Sequence, residues 1–147
     1  MKGKVVSVNV SDKKGVRKKP VREAMFKTGF GIEGDAHASS KWHRQVSLLA
    51  LESIRKMQEM GLKVNPGDFA ENITTEGIDL VKLPVGTKMI IGCDIEVEVS
   101  QIGKVCHTRC EIYRLAGDCI MPKEGIFVKV LMGGKVKEGD EIVVGIK

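Results

Sequence analysis

Apolar and polar residues alternate most strictly along residues 95–100. Ile95, Val97 and Val99 are separated there by two glutamates, and a serine follows them. A period of two predicts a β-strand with one buried face and one solvent-exposed face. Residues 87–91 precede this strand across a Gly-Cys-Asp turn, so the two segments together predict a β-hairpin.

Segments rich in valine and isoleucine predict further short strands. Residues 4–10 contain four valines, a composition that favours extended backbone. Residues 125–131 and 141–146 are also apolar, and a turn at Gly133-Gly134 lies between them. Both segments are therefore expected to be strands as well.

One segment has the spacing of a helix. Residues 45–50 predict a short strand that leads directly into it. Leu51, Ile54 and Met57 then recur every three residues, which places them on one face of an α-helix. Gly61 follows as a natural helix stop.

The predicted elements define the fold class. Six or more short strands with one principal helix predict a mainly β fold, either a barrel or a sandwich. The 17 glycines and only 4 prolines fit a chain that turns often. The 147 residues suffice for one domain, and no repeat or linker-like segment divides them. We therefore expect a single domain over residues 1–147.

Composition excludes several classes of protein. Hydrophobic residues make up 42% and charged residues 29%, and the mean hydropathy is −0.06, values typical of a soluble globular protein. Apolar stretches such as residues 46–51 are far shorter than the roughly 20 residues of a membrane helix. No apolar segment of a signal peptide follows Met1. We therefore expect a cytoplasmic protein that does not associate with membranes.

The net charge of +5 is unevenly distributed. Residues 1–30 carry nine basic and two acidic side chains, whereas the remaining 117 residues carry 15 basic and 17 acidic ones. The excess is densest in a stretch that we call the basic run: Lys13, Lys14, Arg17, Lys18 and Lys19. Such a run is either a contact for a polyanion or a solvated loop, and the solvated loop is the favoured interpretation.

Three of the four cysteines lie close together. Cys106, Cys110 and Cys119 fall within fourteen residues. The thiolate is the nucleophile and the metal ligand, and positive charge nearby, such as that of Arg109, favours it. A reactive cysteine is therefore favoured over small apolar packing residues. For Cys93, in the predicted hairpin turn, packing is the favoured interpretation.

A structural zinc site is the second functional interpretation of this cluster. The three cysteines and His107 supply a Cys₃His ligand set. Three and then eight residues separate the cysteines, a spacing that matches no compact zinc finger, and adjacent residues such as Cys106 and His107 rarely bind one ion together. Zinc therefore ranks behind the reactive cysteine.

A second group of polar residues accompanies a glycine-rich loop. Asp35, His37, His43 and Arg44 follow residues 29–34, which contain three glycines. Basic side chains beside such a loop are typical of the rim of an anion-binding pocket. The sequence lacks the phosphate-binding signature with a terminal lysine and serine or threonine.

The order of these motifs resembles the MOSC domain family, named for the C-terminal domain of molybdenum cofactor sulfurases. The resemblance covers roughly residues 3–146. It is carried first by residues 31–37 (GIEGDAH), 44–49 (RQVSLL), 66–78 (PGDFAENITTEGI) and 83–86 (LPVG). Residues 99–101 (VSQ), Cys106, 125–128 (GIFV) and 139–140 (GD) follow in the family's order.

The resemblance implies a MOSC-type β-barrel with one principal helix and short peripheral helices. It also implies a cysteine that handles sulfur or ligates molybdenum in molybdenum cofactor metabolism. By position that cysteine is Cys106, with Cys110 as the second candidate, and Cys106 is also the candidate metal ligand. The residues that we expect to contact the cofactor are Asp35, His37, Arg44, Glu71, Asn72 and Arg109.

The resemblance further implies a function and its partners. The chain matches no pyridoxal-phosphate-dependent desulfurase domain, so we expect a sulfur carrier or cofactor-binding module. A cysteine desulfurase or another sulfur donor would load it, and a molybdoenzyme or a cofactor biosynthesis protein would accept the sulfur. Two alternatives stay open: a molybdenum-cofactor-dependent reductase of N-hydroxylated compounds, and a cationic module that binds acidic proteins or, less favoured, nucleic acid.

Overall fold

Seven strands close into a barrel. The computed structural model describes residues 1–14, 16–103 and 124–145. In this part of the chain the barrel strands are β1 (Lys2–Val10), β5 (Val46–Ala50), β6 (Ile73–Glu76), β7 (Lys88–Ile91), β8 (Ile95–Ile102), β9 (Ile126–Met132) and β11 (Glu141–Val144). Hydrogen bonds run from β1 through β11, β7, β8, β9, β5 and β6 back to β1. The prediction of a mainly β barrel is confirmed.

The other strands lie outside the ring. β2 (Lys19–Val21) extends the sheet beside β1, and a second sheet has the order β10 (Gly134–Lys137), β3 (Glu23–Lys27), β4 (Gly31–Ile32). The prediction of a turn at Gly133-Gly134 is wrong, because Gly134 begins β10. β10 was missed because it has one buried apolar residue, Val136, between two exposed lysines, too short a pattern for periodicity to reveal.

The predicted hairpin is confirmed as β7 and β8. Ile91 pairs with Ile95, and Met89 pairs with Val97. Ile95, Val97 and Val99 are fully buried, as their alternation with polar residues requires. Their side chains belong to the larger of two apolar clusters, which fills the barrel.

The predicted helix is confirmed as α1 (Leu51–Glu59). Ile54 and Met57 are buried in a second, smaller cluster, and Gly61 follows the helix with a φ of +93°, which suits glycine. A 3₁₀ turn at Leu80–Lys82 is a short peripheral helix. Among the described residues, no helix combines the length and the apolar character needed to cross a bilayer.

The two faces of β5 separate the barrel interior from the helix and loops outside. Leu48 belongs to the barrel cluster, whereas Leu49 packs with α1, because successive side chains point to opposite faces. Ser47 shares the outer face with Leu49 and pairs with Phe127 on β9. The helix covers this outer face at Leu49. Loops cover it at Ser47 and Phe127.

Two of these loops are held together by a close backbone contact. The Lys18 N–H donates to the Gly67 carbonyl at 2.8 Å. Gly67 has a φ of +91°, and a Cβ there would overlap the Lys18 carbonyl oxygen. Only glycine fits this approach without strain, so the residue fixes the loop that carries Phe69, Ala70 and Glu71 against the basic run.

Candidate functional site

A cavity of about 320 Å³ lies over the outer face of β5 and β9. Its volume falls within the range of small-molecule sites. Among the residues that the structure describes, its lining includes three basic side chains and no carboxylate, so this part of the cavity favours an anion. The lining residues are Lys14, His37, Ser39, Trp42, Arg44, Ser47, Phe69, Ala70 and Phe127.

Arg44 lies between two aromatic rings of the cavity. Its guanidinium carbon is 4.7 Å from the centre of the Trp42 ring and 5.5 Å from that of Phe127, distances at which cation and ring attract each other. The buried Nε has no hydrogen-bond partner among the described residues. A buried donor left unpaired is unfavourable, so Arg44 is suited to donate to a bound anion.

A buried ion pair lies next to His37 of the cavity lining. Lys18 Nζ is 2.8 Å from Asp35 Oδ1, and neither side chain has exposed surface. The interpretation of the basic run as a solvated loop is therefore wrong for Lys18. Asp35, seventeen positions later, supplies the opposite charge that a buried ammonium requires. Asp35 itself is not among the residues that line the cavity.

His37 connects this ion pair to the cavity. Its Nδ1 lies 3.0 Å from Lys18 Nζ, and its backbone N–H donates to Asp35 Oδ2 at 3.1 Å. The imidazole is one-third exposed and belongs to the cavity lining. The structure therefore brings together His37 and Arg44, two residues that the sequence predicted to contact a cofactor.

Asn72 lies next to the cavity residue Ser47 and links two strands of the barrel. It is fully buried and outside the cavity lining. Asn72 Oδ1 accepts the Ser47 N–H at 3.0 Å, and Asn72 Nδ2 donates to the Asn9 carbonyl at 3.2 Å. The amide thus joins β1 to β5, and in this structure it acts on the cavity through Ser47.

Glu71 is also fully buried and outside the lining. Its Oε2 accepts hydrogen bonds from the Gly67 N–H at 3.0 Å and the Thr74 hydroxyl at 2.7 Å. Removal from water raises the pKa of Glu71 from the ordinary 4.5 to about 7, although the hydrogen bonds from Gly67 and Thr74 favour the charged form. Glu71 therefore holds the loop of Gly67 in place.

Several lining residues were not predicted from the sequence. Trp42 carries no motif, and Ser47 and Phe127 lie in motifs of the family resemblance without standing out there as site residues. The pairing of β5 with β9 places Ser47 beside Phe127. Ala70 has a φ of +63°, a left-handed conformation that is uncommon for alanine. No pattern of apolar residues signals that conformation.

The end of β8 is tied to the segment that carries Arg44. His43 Nε2 is 2.7 Å from Gln101 Oε1, and the Ser100 hydroxyl donates to the His43 carbonyl at 2.5 Å. Cys106 follows Gly103, the last described residue of this stretch, by three positions. The last described part of the chain before Cys106 is therefore a strand end that is hydrogen-bonded to His43, the neighbour of two residues of the cavity lining.

The predicted cysteine cluster lies outside the described residues. Cys106, Arg109 and Cys110 fall in residues 104–123, as do the other members of the proposed zinc set. Cys93 is described, and the prediction that it packs inside is wrong. It is exposed and not in a disulfide, because it occupies the tip of the hairpin between β7 and β8.

Residues 1–14, 16–103 and 124–145 contain no group of side chains that could hold a metal ion. There, no three histidine, cysteine, aspartate or glutamate side chains are grouped so that they could hold a metal ion. The polar groups that the described lining does present are the basic side chains of Lys14, His37 and Arg44 and the hydroxyl groups of Ser39 and Ser47. The prediction of Cys106 as a metal ligand stays a prediction.

Solved structures share this fold. The YuaD protein from Bacillus subtilis (APC1665) aligns with a TM-score of 0.82 and 22% identity over 100% of this chain and 98% of that one. YiiM from Geobacillus stearothermophilus aligns with a TM-score of 0.74 and 22% identity over 99% and 75% of the two chains. YiiM from Escherichia coli aligns with a TM-score of 0.69 and 22% identity over 100% of this chain and 71% of that one. No curated protein sequence matches the chain.

The fold defines a class of protein: a closed β-barrel, here with a cavity on its outer face whose described lining includes Lys14 and Arg44. The family model of the MOSC domain matches residues 33–143, which is well over half of the chain. The chain therefore belongs to the MOSC domain family, which is associated with molybdenum cofactor-related proteins. The resemblance inferred from the motifs is confirmed.

Replacing Lys18 by methionine tests the buried ion pair. Lys18→Met leaves the Asp35 carboxylate buried without its partner, and we expect the free energy of unfolding to fall by about 3–5 kcal/mol. Lys19→Met, at an exposed neighbour in the same run, should change it by less than about 0.5 kcal/mol. Urea unfolding of both variants measures the difference, and equal effects would contradict the structural role of Lys18.

Glu71 predicts a pH dependence of stability. Because its pKa is about 7 in the folded protein and 4.5 ordinarily, the folded state holds this proton more tightly than the unfolded chain. Its contribution to stability is complete below pH 4.5 and is lost as the pH rises through 7, by roughly 3 kcal/mol in total. Glu71→Gln removes this titration, so urea unfolding should show a flatter profile between these pH values. Parallel profiles for variant and wild type would contradict the raised pKa.

Proposed function

We propose that the protein handles the molybdenum cofactor in the cytoplasm, as a sulfur carrier or cofactor-binding domain with a reactive cysteine. The observation that carries this proposal is a cavity lined by the cations Lys14 and Arg44 and by His37 in a member of the MOSC domain family. Cys106 is the first candidate for the reactive residue, and Cys110 is the second.

The cavity fits the anionic end of a pterin-molybdenum cofactor. Arg44 has a buried donor that no described residue pairs with, and arginine suits phosphate because its planar fork donates in parallel. Lys14 adds positive charge, and the Ser39 and Ser47 hydroxyls add donors and acceptors. The rings of Trp42 and Phe127 supply apolar area against which a flat heterocycle packs. When bound, the cofactor would supply a metal centre able to accept sulfur.

The sulfur-transfer step uses a cysteine thiolate of this chain. The Cys106 thiolate attacks the outer sulfur of a persulfide on the donor. A new S–S bond forms to Cys106, the S–S bond of the donor breaks, and the donor leaves as a thiolate. The step moves one neutral sulfur atom without net oxidation or reduction. A cysteine desulfurase fits the donor role, and a molybdoenzyme or a cofactor biosynthesis protein fits the acceptor role.

The basic run supports this proposal better than it supports nucleic-acid binding. Its lysines and arginine face different environments: Lys18 is buried against Asp35, Arg17 lies 3.8 Å from Asp68, and Lys14 lines the cavity. A polyanion contact needs cations arrayed along one surface. Here the charge of Lys14 is directed to the cavity, where a small anion gains most from it.

Loading with a cysteine desulfurase and cysteine tests the proposal. We expect the wild-type protein to gain about 32 Da, the mass of one sulfur atom in a persulfide. Cys106→Ser should abolish this gain, whereas Cys93→Ser should leave it intact, because Cys93 lies on the hairpin tip away from the cavity lining. Intact-protein mass spectrometry before and after treatment with a reductant measures the adduct.

Cys110→Ser distinguishes the two candidate cysteines. If Cys110 rather than Cys106 carries the sulfur, the gain disappears in Cys110→Ser alone. A wild-type protein that gains no sulfur and binds no molybdenum cofactor would contradict the proposal for both cysteines. Retention of the full gain in the Cys106→Ser and Cys110→Ser double variant would contradict it as well.

A further inference from the structure

The buried pair of Lys18 and Asp35 lies directly behind the imidazole of His37, and sulfur transfer gives this pair no role. Lys18 Nζ contacts Asp35 Oδ1 at 2.8 Å, the Ser11 hydroxyl at 3.1 Å and His37 Nδ1 at 3.0 Å. Such a buried cation costs the fold a considerable desolvation penalty. Its position against a residue of the cavity lining suggests what it contributes.

The proton on His37 follows from the chemistry of the ammonium group. A lysine ammonium has three donors and no acceptor, so His37 Nδ1 must accept a hydrogen bond at this contact. An imidazole nitrogen that accepts carries no proton. Neutral His37 therefore holds its proton on Nε2.

Asp35 holds both the ammonium and the histidine backbone. Its Oδ1 accepts from Lys18 and from the Ser11 N–H at 3.1 Å, and its Oδ2 accepts from the His37 N–H at 3.1 Å. The carboxylate compensates the charge of the ammonium group inside the protein, where neither side chain reaches solvent. One ion pair thus fixes both the ring and the main chain of His37.

We propose that the Lys18–Asp35 pair locks His37 in the Nε2–H tautomer, so that the imidazole acts as a neutral hydrogen-bond donor to an oxyanion in the cavity. This inference rests on the proposed function for the identity of the ligand, an anion such as a phosphate group. Lys18 and Asp35 are positioning residues, whereas His37 contacts the ligand beside Arg44 and Lys14.

Nitrogen NMR of the intact protein tests the tautomer. Protein labelled with ¹⁵N-histidine should show His37 Nδ1 as an unprotonated acceptor and Nε2 as a protonated nitrogen, with the resonances assigned by their loss in His37→Gln. The Lys18→Met/Asp35→Asn double variant removes both charges together, so it leaves no unpaired buried ion. We expect this variant to shift the His37 population toward the Nδ1–H form. A protonated Nδ1 in the wild type, or an unchanged tautomer in the double variant, overturns the proposal.

Binding of inorganic phosphate, followed by isothermal titration calorimetry, tests the consequence for the ligand. His37→Asn places an amide nitrogen near the site of Nδ1, and we expect it to lower the affinity roughly tenfold, the effect of one hydrogen bond to a charged group. His37→Gln carries its amide nitrogen near the site of Nε2, so its affinity for phosphate should fall clearly less than that of His37→Asn. Equal losses in the two variants overturn the proposal.

The two experiments separate this inference from the proposed function. A wild-type protein that binds phosphate but has a protonated Nδ1 overturns the tautomer proposal and leaves the anion cavity standing. A wild-type protein that binds neither phosphate nor the molybdenum cofactor overturns the role of the cavity, and the role of His37 as a donor to the ligand falls with it.

Discussion

The buried ion pair between Lys18 and Asp35 is the contact on which the geometry of the site depends. It joins the basic run to the loop after β4, because its two members come from these two segments. The backbone hydrogen bond from Lys18 to Gly67 connects these two segments to the loop that carries Phe69 and Ala70. Three loops are thus fixed around one buried charge, and each of them contributes residues to the cavity.

The barrel provides the surface on which these loops lie. Ser47 and Phe127 face outward from paired strands, while Leu48 and its neighbours fill the interior. Asn72 and Glu71 hold the strands and the adjacent loop from below. A rigid sheet that carries its binding residues on loops is a common arrangement, since loops vary without loss of the core.

The sequence was informative where local periodicity decides structure. Ile95, Val97 and Val99 alternate with polar residues, and α1 has its apolar face, so the strand and the helix could both be predicted. The burial of Lys18 could not, because it depends on Asp35, which is remote in sequence and brought close only by the fold. The charge of Lys18 looks the same in sequence as that of the exposed Lys19.

The site was predictable only in part, for the same reason. His37 and Arg44 stand beside a glycine-rich loop and could be recognised as neighbours. Ser47 and Phe127 lie in motifs of the family resemblance, but only the pairing of β5 with β9 shows that they stand side by side in the cavity lining, and Trp42 joins them from a loop. Nor did the sequence show that Glu71 is fully buried and outside the described lining of the cavity.

Equilibrium binding of isolated molybdenum cofactor to the wild type and to Arg44→Gln tests the central claim most directly, namely that the cationic cavity holds the anionic end of that cofactor. Arg44→Gln keeps a polar side chain between Trp42 and Phe127 but removes the charge. The account predicts roughly tenfold weaker binding in the variant, and competition by inorganic phosphate in the wild type. Equal affinity of the two proteins, with no competition by phosphate, would contradict it.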